Sequence, residues 1–197
     1  MKQLILAGIL LVYAAMFVNP NPDQEPEIKA EQITITSSVV LTTETADMSA
    51  YGLSEETNFD KISLKESLRF FNEKGSGILF YAKADGLESR LAAPVLNEAA
   101  KELGVHVYYI DCNENYDLAD YNSLTSYIKS TFVTSADGSS ATFYLPDVIA
   151  VKNGEITGYH VSLVNGLILS GNETELSEAD RVALKNAYIE TLSTAKD

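Results

Sequence analysis

The chain carries one thiol, Cys112, and two imidazoles, His106 and His160, far apart in sequence. A single cysteine excludes an internal disulfide framework and any four-thiolate zinc site, and two distant histidines do not make a metal-ligand cluster. Cys112 stands between Asp111 and Asn113. Nearby negative charge raises a thiol's pKa and lowers its reactivity. Two readings of it stay open: a redox-sensing or mixed-disulfide thiol, and a small, partly buried residue at a strand end, which the acidic company favours. Asp111, Asn113 and Asn115, followed by Asp117 and Asp120, offer oxygen ligands at alternate positions, as a calcium loop does. Tyr116 fills the turn position that needs Gly, however, and Asn122 stands where a bidentate Glu belongs. A solvated acidic loop with a helix cap is the better reading. Asp plus Glu outnumber Lys plus Arg by 28 to 14, a field that opposes nucleic-acid binding. The eleven tyrosines are dispersed as core and interface material. No metal and no cofactor is expected.

These residues must be positioned by a body of ordinary size, since 197 residues suffice for one domain with a proper core and some extra segments. Lys2 precedes an uncharged apolar run from Leu4 to Val18. Fifteen helical residues reach roughly 22 Å, short of a hydrocarbon core of roughly 30 Å. Residues 1–18 therefore read as a cleaved export signal, for which Val12-Tyr13-Ala14 is a tolerable site, or as an uncleaved membrane anchor. Either puts the body outside the cytoplasm; a buried helix is the plainer alternative. Residues 19–61 hold Pro20, Pro22 and Pro26 and nine acidic residues against Lys29 and Lys61. Proline and like charge keep a chain extended, so this region reads as an acidic linker. Within it, Ile33, Ile35, Val39 and Leu41 occupy alternate positions, the pattern of an extra edge strand over 32–42.

Residues 62–197 read as the folded domain. Ser63 and Glu66 have the spacing of a capping box, and Asp85 and Glu88 repeat it. Ile78 to Tyr81 is a buried strand. The helix after it carries Leu91, Val95 and Ala99, with Gly104 placed for a left-handed stop. Val105 to Ile110 is a second strand, Ala119 to Lys129 a helix, and Asp137-Gly138 a turn. Asn153-Gly154 joins Val148–Val151 to a second hairpin arm, Ile156 to Leu163. Ser177 opens a last helix. Strands alternating with helices imply parallel pairing, and the hairpin adds antiparallel strands at one side.

Over residues 62–192 the sequence resembles the thioredoxin family. The resemblance is carried by Ile78-Leu79-Phe80-Tyr81, by Ala93-Pro94-Val95-Leu96-Asn97-Glu98-Ala99-Ala100, and by Tyr109-Ile110-Asp111. It continues in Leu145-Pro146-Asp147-Val148 and in Lys152-Asn153-Gly154-Glu155-Ile156-Thr157-Gly158. More narrowly, the sequence is similar to small exported bacterial thioredoxin-like proteins of the bacteriocin transport accessory type. The resemblance implies an α/β three-layer sandwich with a small mixed central sheet. It implies a helix proline at Pro94 and a cis-proline at Pro146 facing the redox motif. It also places the two motif cysteines at Gly86 and Ser89, with Leu87 and Glu88 between.

Neither position holds a thiol. Gly86 has no side chain, and a serine hydroxyl needs a base to become a nucleophile. Thiol–disulfide exchange by the family mechanism is thus unavailable, and enzymatic activity is not expected of this motif. What the resemblance leaves is a polypeptide-binding surface made of Ala84 to Ser89 and Leu145, Pro146 and Asp147. The expected function is a redox-inactive extracytoplasmic module that binds a protein or peptide partner, accessory to an envelope or export system. Membrane contact is expected only through the amino-terminal segment. The alternatives are an oxidoreductase acting through Cys112 or a partner's thiols, and a purely structural envelope component.

Overall fold

A computed structural model describes residues 25–53, 56–164 and 166–197. The expected leader over 1–18 lies outside the described residues. Among the described residues no helix is long and apolar enough to cross a membrane.

The centre is a six-stranded sheet. Its strands are β1 (Glu44–Thr45), β2 (Phe59–Lys61), β3 (Gly77–Ala82), β4 (Val107–Asp111), β7 (Asp147–Lys152) and β8 (Glu155–Val161). A separate two-stranded hairpin, β5 (Val133–Thr134) and β6 (Ala141–Thr142), intervenes before β7. The order across the main sheet is β1-β2-β4-β3-β7-β8. β2, β4 and β3 are parallel, whereas β7, β8 and β1 run antiparallel to their neighbours. The helices are α1 (Leu64–Asn72), α2 (Leu87–Leu103), α3 (Leu118–Tyr127) and α4 (Glu178–Ser193).

Strand alternation sorts the core into two layers. Ile78, Phe80, Val107, Tyr109, Val148 and Ala150 face α2 and α4. Leu79, Tyr81, Ile110, Ile149 and Val151 face α1 and α3. Every residue of β3 is buried, as a central strand covered on both faces should be. This is the thioredoxin-like sandwich that the sequence implies, with a mixed sheet between two helical layers.

Local signals explain most element ends. Ser63 and Glu66 form the reciprocal capping box: Glu66 N donates to Ser63 Oγ at 3.2 Å and Ser63 N to Glu66 Oε2 at 2.8 Å. Gly104, at φ 69°, ends α2 in the left-handed region that glycine tolerates best. Asn153 and Gly154, at φ 53° and 84°, turn β7 into β8. Pro94 lies inside α2, as expected.

Two expectations are corrected. Asp85 and Glu88 do not form a capping box. The N-cap of α2 is Gly86, which has no side chain to cap with, and the carboxylate of Glu88 is engaged elsewhere. The edge strand expected over 32–42 does not form. Residues 25–35 cross the end of the α2/α4 layer as an irregular strap, residues 38–41 pass over the end of α1, and Glu44–Thr45 takes the sheet edge. The alternating Ile33 and Ile35 pack on the core, with Ile33 N donating to Leu103 O at 2.9 Å. The strap is tied to α4 and α2 by polar groups. Ile28 N donates to Asn186 Oδ1 at 2.8 Å and Ala30 N to Glu102 Oε1 at 2.7 Å. Lys185, only 10% exposed, bridges Glu27 at 2.5 Å and Glu102 at 2.7 Å. The region read from composition as an acidic linker thus contributes β1, β2 and this strap to the packed body.

Candidate functional site

The turn from β3 into α2 and the turn into β7 come together at one end of the sheet. Antiparallel pairing of Tyr81 with Asp147 sets them side by side. The Leu145–Pro146 peptide bond is cis. Between the two turns lies a surface groove of about 560 Å³. Gly86, Leu87 and Glu88 form one wall, Phe143, Tyr144 and Leu145 another, and Leu169, Ser170 and Gly171 a third. Leu87, Phe143, Leu145 and Leu169 make it apolar, and Lys83 adds a cation.

Glu88 holds these walls together. Tyr144 Oη donates to its Oε1 at 3.0 Å, and Ser162 Oγ donates to its Oε2 at 2.6 Å. That contact holds the Tyr144 phenol above its ordinary pKa, with burial adding to it. The third wall is braced within itself: Gly171 N donates to Glu173 Oε2 at 2.8 Å, as Ser170 N does to Oε1. Those amides hold the Glu173 carboxyl down at about 2. Ile168, beside this wall, is 91% exposed.

The expected site residues divide. Gly86, Leu87 and Glu88 are partly buried and line the groove, and Leu145 joins them from the other turn. Ser89 is buried, its Oγ facing Lys83 N at 3.4 Å. Pro146 and Asp147 are buried too, so Asp147 is no part of a binding surface. Its side chain turns inward, where Thr131 Oγ1 donates to Oδ2 at 2.7 Å and Oδ1 has no partner among the described residues. Burial pushes the Asp147 carboxyl up to about 7, against the opposing bond from Thr131.

Sequence reasoning missed Glu88 as a tie, the wall over Phe143 and Tyr144, and the wall over 169–171. Two signals pointed there: an aromatic pair just before Leu145-Pro146, and the apolar Leu167-Ile168-Leu169 in an otherwise polar loop.

Cys112 lies beneath this end of the sheet, its N donating to Ala82 O at 2.8 Å. Burial first, then Asp111, pushes its thiol up to about 12, which suppresses the thiolate needed for exchange. Three carboxylates of the calcium-like loop have structural partners. Asp111 accepts from Asn113 N, Asp117 caps α3 through Ala119 N, and Glu114 pairs with Lys61. No group of three or more His, Cys, Asp or Glu poised to hold a metal occurs among the described residues. His106 is exposed beside Asp60 at 2.9 Å. His160 is half-buried, with Nε2 3.1 Å from Leu163 O.

The sheet order, the helix layers and the facing turns define a thioredoxin-fold protein without the Cys-X-X-Cys pair. Among solved structures the chain is similar to oxidised thioredoxin O2 from Arabidopsis thaliana. The TM-score is 0.39 at 15% identity, covering 57% of this chain and 89% of that one. It is also similar to oxidised thioredoxin O1 from Arabidopsis thaliana, with a TM-score of 0.34 at 17% identity, covering 53% and 86%. No family model matches the chain, and no curated protein does.

Proposed function

We propose that the protein is a redox-inactive thioredoxin-like module that holds a protein or peptide partner outside the cytoplasm. The observation that carries this is the groove between Leu87 and Leu145, apolar in its lining, at the place where reactive thiols are replaced by Gly86 and Ser89. An extended polypeptide would lay an apolar side chain between Leu87, Phe143, Leu145 and Leu169, a burial that requires no exchange chemistry. The extracytoplasmic location is part of the proposal and is supported by Lys2 followed by the apolar run Leu4–Val18. So is the finer assignment to the bacteriocin transport accessory type, supported by that leader pattern together with Pro94-Val95-Leu96. The rival reading, an oxidoreductase acting through Cys112, is disfavoured by the buried thiol's raised pKa.

Affinity capture from membranes tests the proposal. A partner retained by the wild type and lost with Leu87→Asp and with Leu145→Asp, both folded, is the expected result. Retention by both variants would refute the groove. Disulfide reductase turnover that disappears in Cys112→Ser would overturn the redox-inactive reading. Protease access to the body in intact cells tests the location, and protection would defeat it.

A further inference from the structure

Asp147 is completely buried, and among the described residues only one donor reaches its side chain. None of the ion pairs among the described residues includes it. The titratable groups around it are Tyr81 of β3, Cys112 after β4 and Tyr188 of α4, all of which feel its charge. Tyr81 Oη is committed to Ser67 Oγ at 3.1 Å, and Tyr188 Oη has no partner among the described residues. His160 of β8 stands edge-on to Tyr188. Burial raises both phenols and the thiol and lowers the imidazole, so all four are neutral near pH 7. An ionised Asp147 would therefore have one hydrogen-bond donor and no counter-charge, an arrangement that dry surroundings strongly disfavour.

Its position gives that imbalance a place to act. Thr131 and Asp147 stand at the two ends of the excursion 132–146, which carries β5, β6 and then the groove wall Phe143-Tyr144-Leu145. The Thr131–Asp147 bond closes the base of that wall. One residue away, Pro146 O accepts from Ser162 N at 2.7 Å, and Ser162 also holds Glu88. One buried carboxyl thus sits where the bases of the groove walls meet.

We propose that Asp147 is a proton-operated latch at the base of the groove. With the carboxyl protonated, the base is closed as observed. Loss of the proton draws water to Oδ1 through the Thr131 junction and loosens the wall over 132–146. The latch regulates the groove and so rests on the groove reading for its functional meaning. The raised pKa of Asp147, about 7, agrees with a transition in the neutral range.

Amide hydrogen exchange of the full chain, corrected for the intrinsic pH dependence, tests this between pH 5.5 and 8.5. The amides of Thr131, Phe132 and Ser162 should lose about tenfold or more of their protection as pH rises, while those of β3 hold theirs. Asp147→Asn should flatten the profile. A flat wild-type profile, or a transition that survives Asp147→Asn, overturns the latch. If that variant fails to fold, Thr131→Val decides: removing the only donor must raise the midpoint, read from the Asp147 carboxyl shift by NMR, and an unmoved midpoint overturns the latch. The two readings fail separately. A pH transition with partner capture insensitive to Leu87→Asp removes the groove and keeps the latch. A flat profile with sensitive capture does the reverse.

Discussion

The two ends of α2, about 25 Å apart along the helix axis, are finished in different ways. At the carboxyl end, Lys185 pairs with both Glu102 and Glu27, Asn186 holds the backbone of Pro26 and Ile28, and the strap covers what would be open surface. At the amino end, Glu88 meets only neutral hydroxyls, from Tyr144 and Ser162, and the loops it joins leave a groove between them. One end spends its charged groups on closure. The other keeps its polar ties at the rim and leaves Leu87, Leu145 and Leu169 partly exposed. A helix can thus carry a sealed pole and an open pole, with a carboxylate organising each. The open pole holds Gly86 and Ser89, where the resemblance to thioredoxins leads one to expect the motif thiols.

The sharpest break in this comparison would be reactivity at the open pole. With its thiol pushed up to about 12 by burial and then Asp111, Cys112 should be alkylated at pH 8 roughly two to three orders of magnitude more slowly in the native protein than in denaturant. Rates measured by mass spectrometry check this, and a native rate near the unfolded one would mean that the open pole still presents a usable thiol. Next in size is Leu96→Ala, in the buried middle of α2. It should cost about 2–5 kcal/mol in urea unfolding and loosen both poles together. Loss confined to one pole would show that α2 does not couple them.

Lys185→Met separates the poles. It leaves Glu27 and Glu102 without their cation at the sealed end, and a loss of about 1–2 kcal/mol is expected for groups of this partial exposure. The pH dependences of the poles should be opposite in sign. Glu102 has a folded pKa below its ordinary value: burial, the largest influence, raises it, but Lys185 and Ala30 N outweigh that. Its contribution is present above about pH 4.5 and lost as pH falls through the folded value. Asp147 has a raised folded pKa, so its contribution is greatest below about pH 4 and declines as pH rises to about 7. Burial lowers the His160 imidazole, which acts in the opposite direction over this range in both proteins. The melting temperature of the wild type should therefore rise relative to that of Asp147→Asn on going from pH 7 to pH 5. A difference between the two proteins that stays constant over that range would contradict the assignment.

The same contrast governs what was legible in the sequence. Ser63 with Glu66, Gly104, Asn153-Gly154 and Ser177 act through neighbours in the chain, so their spacing announces the elements they bound. The absence of thiols at Gly86 and Ser89 was equally plain. Asp85 and Glu88 share the spacing of Ser63 and Glu66, yet α2 starts from Gly86, which has no side chain to cap with, and hydroxyls 56 and 74 residues away hold Glu88. Composition marked residues 19–61 as a linker, with only 32–42 set apart as a strand, but Glu27 and Ile28 find α4 158 residues later. β2 is three residues long with Asp60 and Lys61 in it, too short and too charged to show a strand pattern. The groove eluded sequence reading for the same reason: its three walls meet only in the folded chain.

The smallest effect expected is at Glu88, and it tests the open pole most directly. Glu88→Ala removes the acceptor of two hydroxyls at a half-exposed site, so a stability loss of about 1 kcal/mol is expected. Glu88→Gln keeps one carbonyl acceptor and gains an amide donor that Ser162 Oγ can accept, so its loss should be smaller. Global stability is a weak readout at this size, and Tyr144 supplies a local one. Its phenol is held up first by the bond to Glu88, then by burial and the carboxylate's charge. Removing the carboxylate should return the Tyr144 titration toward its ordinary value, followed by NMR of the Tyr144 ring. The amide variant should fall between, since it removes the charge and keeps an acceptor. A Tyr144 titration unmoved by Glu88→Ala would mean that the rim is not tied through this carboxylate. The open pole would then owe its shape to the packing of Leu87, Phe143 and Leu169 alone.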